Sequence, residues 1–289
     1  MYSVNNSSNY YFAPKFYVTD VYRDEKTNEL SITAYDLLHN INRYTIADLG
    51  LEENYTPFGV LVAIINKLGL PESLPMYGVD DFNIYNNING ANFDGSESLR
   101  EVLDDIAEVL QSIYYLNYAN ELCFKRLSNN SDVNYTIEKS MYIDFDSGAN
   151  RRLSTITHTT ELGDNVTATT GVSGSTQYIR SNPFLDLRDD IGDLLEYALA
   201  NVGGLTINQF ELEWRGIPDL EVGDKIAIAT KDGGYVYSYL LNDTLSYDGS
   251  LSQSTKWEYQ EDEGDSADNP TNLGEALKQT FARVDKANK

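Results

Sequence analysis

Few residues of this chain have the types and spacing that catalysis requires. The sequence contains two histidines, His39 and His158, and one cysteine, Cys123. Neither histidine stands in an HExxH motif or another metal-ligand spacing, and no G-x-S-x-G elbow occurs. We interpret both histidines as surface or half-buried residues and Cys123 as a buried apolar filler. The sequence thus predicts no catalytic, cofactor-binding or metal-binding residue, and no cofactor.

Clustered carboxylates raise the possibility of a calcium loop or a hydrolase site. Asp144, Asp146 and Gly148 resemble the start of a calcium loop, but Ala149 and Thr155 stand where an EF-hand needs glycine and glutamate. A polar turn between strands is the alternative interpretation of this segment. With 45 acidic residues, two carboxylates could lie at glycosidase distance by chance, so a carbohydrate-cleaving site stays open.

Aromatic residues offer a second kind of site. Trp214, Trp257 and the 22 tyrosines could form a sugar-binding surface. Aromatic residues on strands more commonly pack a sheet, which is the competing interpretation.

Composition excludes several classes of protein. The formal net charge of -24 repels a polyanion, which argues against sequence-specific DNA binding. No apolar run is long enough to span a bilayer, no basic and apolar leader marks a Sec signal peptide, and a single cysteine rules out an intramolecular disulfide framework. With 41% hydrophobic residues in 289, the chain can form real cores in about two domains.

The elements that must position any site are helices and hairpins in mixed order. Residues 1–14 show no periodicity and are predicted to be irregular. Residues 16–21 and 30–35 predict a hairpin, after which Asp36 caps a short helix. Pro57 begins a helix that is apolar nearly all round, so it is predicted to be buried, with five residues on one face: Phe58, Leu61, Ile64, Ile65 and Leu68.

Further along, a helix starts near Ser96 and a hairpin turns at Ala119-Asn120. Strands are predicted across residues 135–180, then a helix at 190–202, then strands again across 207–259 with tight turns at Asp232-Gly233-Gly234 and Asp248-Gly249. An acidic linker follows, and a helix capped by Asn269 or Asn272 ends the sequence.

This pattern predicts an α+β fold with three parts. Residues 1–134 form a mixed helix and hairpin domain, and residues 135–259 form an antiparallel β-barrel-like domain that contains one helix, at about 190–202. Residues 260–289 form the acidic linker and the C-terminal helix, which as an isolated helix would be marginal in water.

Three segments, in this order, resemble siphophage tail-tip baseplate hub proteins, a group often labelled prophage tail or tail endopeptidase. They are KFYVTDVYRDEKTNELSITAYDLLHNINR at residues 15–43, SESLREVLDDIAEVLQSIYYLNYANELCFKRL at 96–127, and GIPDLEVGDKIAI with YSYLLNDTLSYDGSLSQ at 216–253. The resemblance implies a trimeric hub ring that continues the tail tube and passes DNA during ejection, located at the tail tip of a virion made in the bacterial cytoplasm.

The same resemblance implies partners and raises alternatives. The implied neighbours are the distal tail protein, the tape-measure protein and the receptor-binding or baseplate proteins that serve host cell attachment, with no stable membrane association. Part of the acidic charge would then line the channel, whereas solubility is the plainer reading of that charge. The residues give the endopeptidase label no support, so the chain is predicted not to be an enzyme.

Two other functions remain open, a carbohydrate-binding tail adhesin and a cell-wall-degrading tail lysin. The family usually has a further barrel-forming segment ahead of the hairpin, and residues 1–14 do not supply it. Either the sequence is a piece of a longer chain, or this hub builds its ring differently.

Overall fold

A computed structural model describes residues 2–3, 10–11, 16–23, 26, 30–51, 56–79, 93–160, 163–180, 182–186, 188–247 and 251–257. The chain divides into two compact units, one made of residues 1–107 and 114–124 and the other of residues 108–113 and 125–289. The predicted acidic linker and C-terminal helix at 260–289 lie outside the described residues, as does the turn at Asp248-Gly249.

The first unit begins with strands and continues with helices. Strands β1 (Tyr2–Ser3) and β2 (Tyr10–Tyr11) pair antiparallel, so the segment predicted to be irregular contains two short paired strands. Strands β3 (Tyr17–Arg23) and β4 (Leu30–Tyr35) form a second antiparallel pair. The remaining elements are 3-10 helices at Leu37–Arg43 and Ile46–Leu49, helices α1 (Pro57–Leu68) and α2 (Leu99–Leu110), and strands β5 (Met76–Tyr77), β6 (Ile113–Leu116) and β7 (Leu122–Lys125).

Local caps fix the helices of this unit. The Asp36 carboxylate accepts from the backbone N–H of His39 at 3.3 Å, which confirms the predicted cap. Thr56 accepts from the Gly59 N–H at 3.0 Å to start α1, and Gly69 ends α1 at φ 65°. The prediction that α1 is buried all round is wrong, because Phe58 and Val62 are 47% and 38% exposed, while Leu61 and Ile64 are buried.

The second unit consists of two sheets and one helix. A six-stranded sheet has the order β10-β9-β12-β16-β15, with β11 paired parallel to β9, and a three-stranded sheet has the order β14-β13-β8. Its strands are β8 (Tyr135–Ile137), β9 (Tyr142–Thr159), β10 (Asn165–Thr169), β11 (Ser175–Arg180), β12 (Thr206–Trp214), β13 (Lys225–Ala229), β14 (Tyr235–Tyr239), β15 (Asp243–Tyr247) and β16 (Leu251–Trp257), and its helix is α3 (Ile191–Val202).

The smaller sheet packs on the larger one. The rings of Tyr135 and Trp214 lie 6.0 Å apart, and the Tyr142 hydroxyl donates to the Ala229 carbonyl at 2.8 Å. The larger sheet curls into an antiparallel half-barrel, and α3 packs on β9 and β10. The predicted α+β fold is confirmed. Within the described residues no helix is long and apolar enough to cross a membrane.

Candidate assembly surfaces

One surface of the half-barrel is acidic. Successive side chains of β9 and β12 point to opposite faces of the sheet. The outward-facing residues include four exposed carboxylates, which we call the acidic face: Asp144, Asp146, Glu211 and Glu213. The register places Asp144 opposite Glu213 and Asp146 opposite Glu211, so like charges face each other across the ladder. Like charges directly opposite each other destabilise a sheet. The stability of the sheet therefore does not explain why carboxylates occupy these four positions. Lys256 pairs with Glu211 across the ladder, and its Nζ lies 3.6 Å from the Glu211 Oε1.

The opposite surface of the same strands is apolar and closed. Phe210, Leu212 and Trp214 are 2%, 0% and 1% exposed. At its rim the Trp214 Nε1 donates to the Thr255 hydroxyl at 3.2 Å, and that hydroxyl donates to the Asp243 carboxylate at 2.8 Å. Burial raises the pKa of Asp243, against hydrogen bonds from Gln253 and Thr255 that lower it. The partners that stabilise this carboxylate are therefore an amide and a hydroxyl, a structural arrangement rather than a carboxylate pair.

The hairpin of β3 and β4 presents a third surface. Its cross-strand register puts Val18 beside Ala34, Val21 beside Ile32, and Arg23 beside Leu30, all on one side. Tyr22, Ser31, Asp20 and Thr33 occupy the other side. The apolar residues of the first side, which we call the hairpin apolar face, are Val18, Val21, Leu30, Ile32 and Ala34, and Arg23 lies at the end of the same side. Four of the five are well exposed, at 57–60% for Val18, Val21, Leu30 and Ile32.

His158 occupies a buried polar site in the second unit. Its Nε2 lies 3.0 Å from the Asp186 Oδ1, with side chains 0% and 5% exposed. In the sheet it stands between Val166 of β10 and Ile179 of β11. Burial lowers the pKa of His158, and the nearby Asp186 carboxylate opposes that shift without overcoming it. The expectation of a surface or half-buried His158 is thus wrong.

The other candidate residues are Cys123 and His39, and each has its own local contact. Cys123 is fully buried, as predicted, and its thiol donates to the Glu121 carbonyl at 3.4 Å. His39 is half-buried and stacks on Tyr35 with ring centroids 3.8 Å apart. Cys123 and His39 belong to the first unit and His158 to the second.

Neither interpretation of the Asp144 to Gly148 segment holds. These residues lie inside the long strand β9, so the polar turn predicted there is wrong. Register shifts opposite Asn208–Phe210 and Glu213–Trp214 mark irregularities in the pairing, and between them Asp144 and Asp146 point along one face. Among the residues that the structure describes, no group of three His, Cys, Asp or Glu side chains converges as a metal site would require.

The aromatic residues divide between core and surface. Trp214 is buried, which removes it from any sugar-binding surface, and the side chain of Trp257 lies outside the described residues. Tyr235 and Tyr237 lie two residues apart on β14 and are 46% and 48% exposed. They are the exposed aromatic pair that the adhesin alternative calls for.

Sequence reasoning missed two buried polar contacts. Asp186 meets His158 from a turn 28 positions away, and the Asn182 amide of the same turn donates to Glu108 at 3.2 Å. Glu108 is only 6% exposed although it falls on the polar side of a helical pattern. A usable signal was the position of His158 within an otherwise apolar and threonine-rich strand, flanked by strands on both sides.

The fold is similar to that of several solved tail proteins, two of which come from prophages. A tail protein from Neisseria meningitidis MC58 matches with a TM-score of 0.56 at 12% identity, covering 84% of this chain and 79% of its own. Prophage tail protein gp18 from Listeria monocytogenes EGD-e matches at 0.52 and 14% identity, covering 96% and 83%. The 43 kDa tail protein of prophage MuSo2 from Shewanella oneidensis matches at 0.54 and 12% identity, covering 83% and 77%.

No protein-family model matches the sequence, and the comparison with curated proteins finds no match. Identities of 12–14% support a shared fold rather than shared chemistry. The chain therefore shares its fold with these three tail proteins.

Proposed function

We propose that this chain is a structural virion protein of a phage or prophage tail tip, a baseplate hub whose three copies form a ring that continues the tail tube. The observation that carries the proposal is the fold likeness to three tail proteins from different bacteria, each over at least 83% of this chain. A structural role agrees with the finding that no group of three His, Cys, Asp or Glu side chains among the described residues could hold a metal ion.

DNA passage through the ring is the second part of the proposal. The acidic face offers carboxylates where phosphate-binding lysines and arginines would hold DNA. Like charges placed opposite each other cost stability in the sheet, and a lumen that must release a polyanion is a function that offsets this cost. In this proposal the acidic face lines the lumen.

The proposed ring implies particular neighbouring proteins and a location in the virion. Its neighbours would be the distal tail protein, the tape-measure protein and the receptor-binding or baseplate proteins, with no stable membrane association. The chain would be made in the host cytoplasm and function in the virion, during attachment and DNA ejection, without enzymatic activity.

Mass in solution tests the ring. We expect light scattering at several concentrations to give three times the chain mass of 32.5 kDa, and negative-stain images to show rings with an axial hole. A strict monomer over the whole concentration range would contradict the trimeric hub.

Charge reversal tests which surface faces the lumen. A fourfold Asp/Glu→Lys variant of the acidic face should retain linear DNA better than closed circular DNA, since only a free end can enter a closed ring. The matched control reverses four exposed carboxylates elsewhere, Asp132, Asp164, Asp189 and Asp232, with the same change in net charge. We expect the control variant to bind linear and closed circular DNA equally well. If the acidic-face variant also bound the two forms equally well, the assignment of this face to the lumen would be overturned.

One observation favours the adhesin as a second candidate. Tyr235 and Tyr237 expose neighbouring rings on β14, and Asn208 donates to the Tyr237 carbonyl at 2.6 Å, which holds an amide beside them. Purified host cell-wall polysaccharide is the test ligand. Binding that disappears in a Tyr235→Ala/Tyr237→Ala variant would favour the adhesin, while an absence of binding by the wild-type chain would rule it out for that polysaccharide.

A further inference from the structure

The hairpin apolar face is a surface that the described residues do not cover. Val18, Val21, Leu30 and Ile32 are each more than half exposed, and together they form a contiguous patch of a few hundred Å². A two-stranded hairpin with such a face is marginally stable in water unless something packs on it. The hairpin therefore needs an occupant for this face.

A second incomplete surface lies at the end of the half-barrel. The six-stranded sheet stops at β15, and no described strand pairs with the other edge of β15. Leu245 stands on the same side as its register partner Gln253, which is buried, yet Leu245 itself is 45% exposed. At this edge both the backbone and the apolar side of the sheet are open.

Edge protection distinguishes the two strands of the hairpin. Strand β3 contains an irregularity between Val18 and Asp20, and its Asp20 and Arg23 are charged, features that hinder addition of a further strand. Strand β4, with the sequence LSITAY, has neither a charge nor a proline. Strand β15 has one charged residue, Asp243, which accepts from Thr255. Of these three strands, β4 and β15 are therefore the ones whose edges lack such protection.

We infer that β4 of one copy adds to β15 of a second copy, which continues the half-barrel sheet across the subunit boundary. The inference rests on the proposed ring and names its contact. Two different surfaces, each used once per chain, give a heterologous interface, the type that closes into a ring. Backbone pairing gives the strand register, and the hairpin apolar face packs against Leu245.

The size of the patch supports this two-part contact. A stable interface buries about 800 Å² on each partner, which is more than one apolar hairpin face offers. Packing of this face alone against its own copy would therefore be insufficient. Addition of β4 to an open sheet edge contributes main-chain hydrogen bonds as well as apolar area, so the same hairpin buries more surface.

Cross-linking between differently labelled chains tests the contact. Chains carrying Ile32→Cys and chains carrying Leu245→Cys are mixed, allowed to assemble and treated with a short bifunctional maleimide. We expect a cross-linked dimer in the mixture and little from either variant alone. The wild-type chain, with its buried Cys123, is the background control, and Tyr22→Cys on the opposite side of the hairpin, mixed with Leu245→Cys, is the geometric control.

Each other outcome contradicts the inference. A dimer from Ile32→Cys alone would mean that hairpins pair with each other. A cross-link that forms only within a Ile32→Cys/Leu245→Cys double variant, and never in the mixture, would mean that the occupant is part of the same chain. No cross-link in a wild-type-like trimer would overturn this contact and leave the ring intact, whereas a monomeric wild-type chain would overturn both.

A substitution provides a second measurement. Ile32→Asp places a charge on the hairpin apolar face and should reduce the solution mass threefold, from trimer to monomer. Ser31→Asp, on the other side of the same strand, is the matched control and should remain a trimer. Unchanged tryptophan fluorescence would show that the second unit stays folded in both variants. A trimeric Ile32→Asp variant would contradict the inference.

Discussion

Strands β12 and β4 have the same alternation of apolar and polar residues and opposite environments. On β12, Leu212 and Trp214 are 0% and 1% exposed, whereas on β4, Leu30 and Ile32 are 60% and 57% exposed. The three-stranded sheet covers β12, through contacts such as that of Tyr135 with Trp214. Alternation therefore identifies a face that needs covering, and the rest of the fold decides whether the same chain supplies the cover.

Truncation of one residue on each strand gives the largest expected difference. Leu212→Ala removes a fully buried side chain and should cost about 2 to 5 kcal/mol of the free energy of unfolding. Ile32→Ala removes an exposed one and should change monomer stability by less than about 0.5 kcal/mol. Urea unfolding followed by circular dichroism measures both. A large loss for Ile32→Ala in dilute monomer would mean that its own chain already covers the hairpin.

The sequence predicts local elements well because their signals are local. The Asp36 cap, the start of α1 at Pro57 and its end at Gly69 are all encoded within a turn of the residues concerned. The turn at Gly233 also needs only its own φ of 92°, which favours glycine. These features follow from backbone chemistry and do not depend on the rest of the fold.

Features that depend on distant residues were not predictable from the sequence. The burial of His158 requires a turn 28 positions away and strands on both sides. Phe58 lies on an apolar helix, and only the arrangement of neighbouring elements leaves it exposed. The acidic face is visible in the sequence as alternating carboxylates, but the pairing of Asp144 with Glu213 depends on a ladder between strands about 70 residues apart.

The lowered pKa of the buried His158 predicts how the stability of the second unit depends on pH. Because its folded-state pKa is lowered, the unfolded chain takes up a proton below about pH 6.5 that the folded chain does not. The second unit should therefore lose stability as pH falls through this range. His158→Gln should lose that part of the pH slope, and it should also cost about 1 to 3 kcal/mol at pH 8, because it disturbs the buried contact with Asp186.

Tryptophan fluorescence is the appropriate readout for this prediction. Trp214 and Trp257, the two tryptophans of the chain, both belong to the second unit, as His158 does. His39→Gln in the first unit is the control and should keep the wild-type slope. An unchanged slope in His158→Gln would contradict the assignment.

Asp243 at the open end of the half-barrel should titrate in the opposite sense. Its pKa is raised from 3.8 by burial, so its folded form holds a proton more tightly than the unfolded chain does. The stability that it contributes is complete below pH 3.8 and is lost as pH rises through the raised value. Asp243→Asn does not titrate, so this variant should gain stability relative to wild type between about pH 4 and pH 7.

Urea midpoints at several pH values measure this gain. Thr255 can still donate to the asparagine oxygen, so that hydrogen bond is preserved in the variant. A variant that loses stability relative to wild type as pH rises would contradict the raised pKa.

The acidic face should give the smallest effect and the opposite sign from a core mutation. Glu213→Gln removes the charge opposite Asp144 and should raise the free energy of unfolding by about 0.2 to 1 kcal/mol at low salt, less as salt screens the pair. Glu211→Gln is the matched control, since Glu211 also lies 3.6 Å from Lys256 and its neutralisation removes an attraction together with a repulsion. A loss of stability in Glu213→Gln would mean that the carboxylate contributes to packing, and the acidic face would then carry no cost in stability for the passage of DNA to offset.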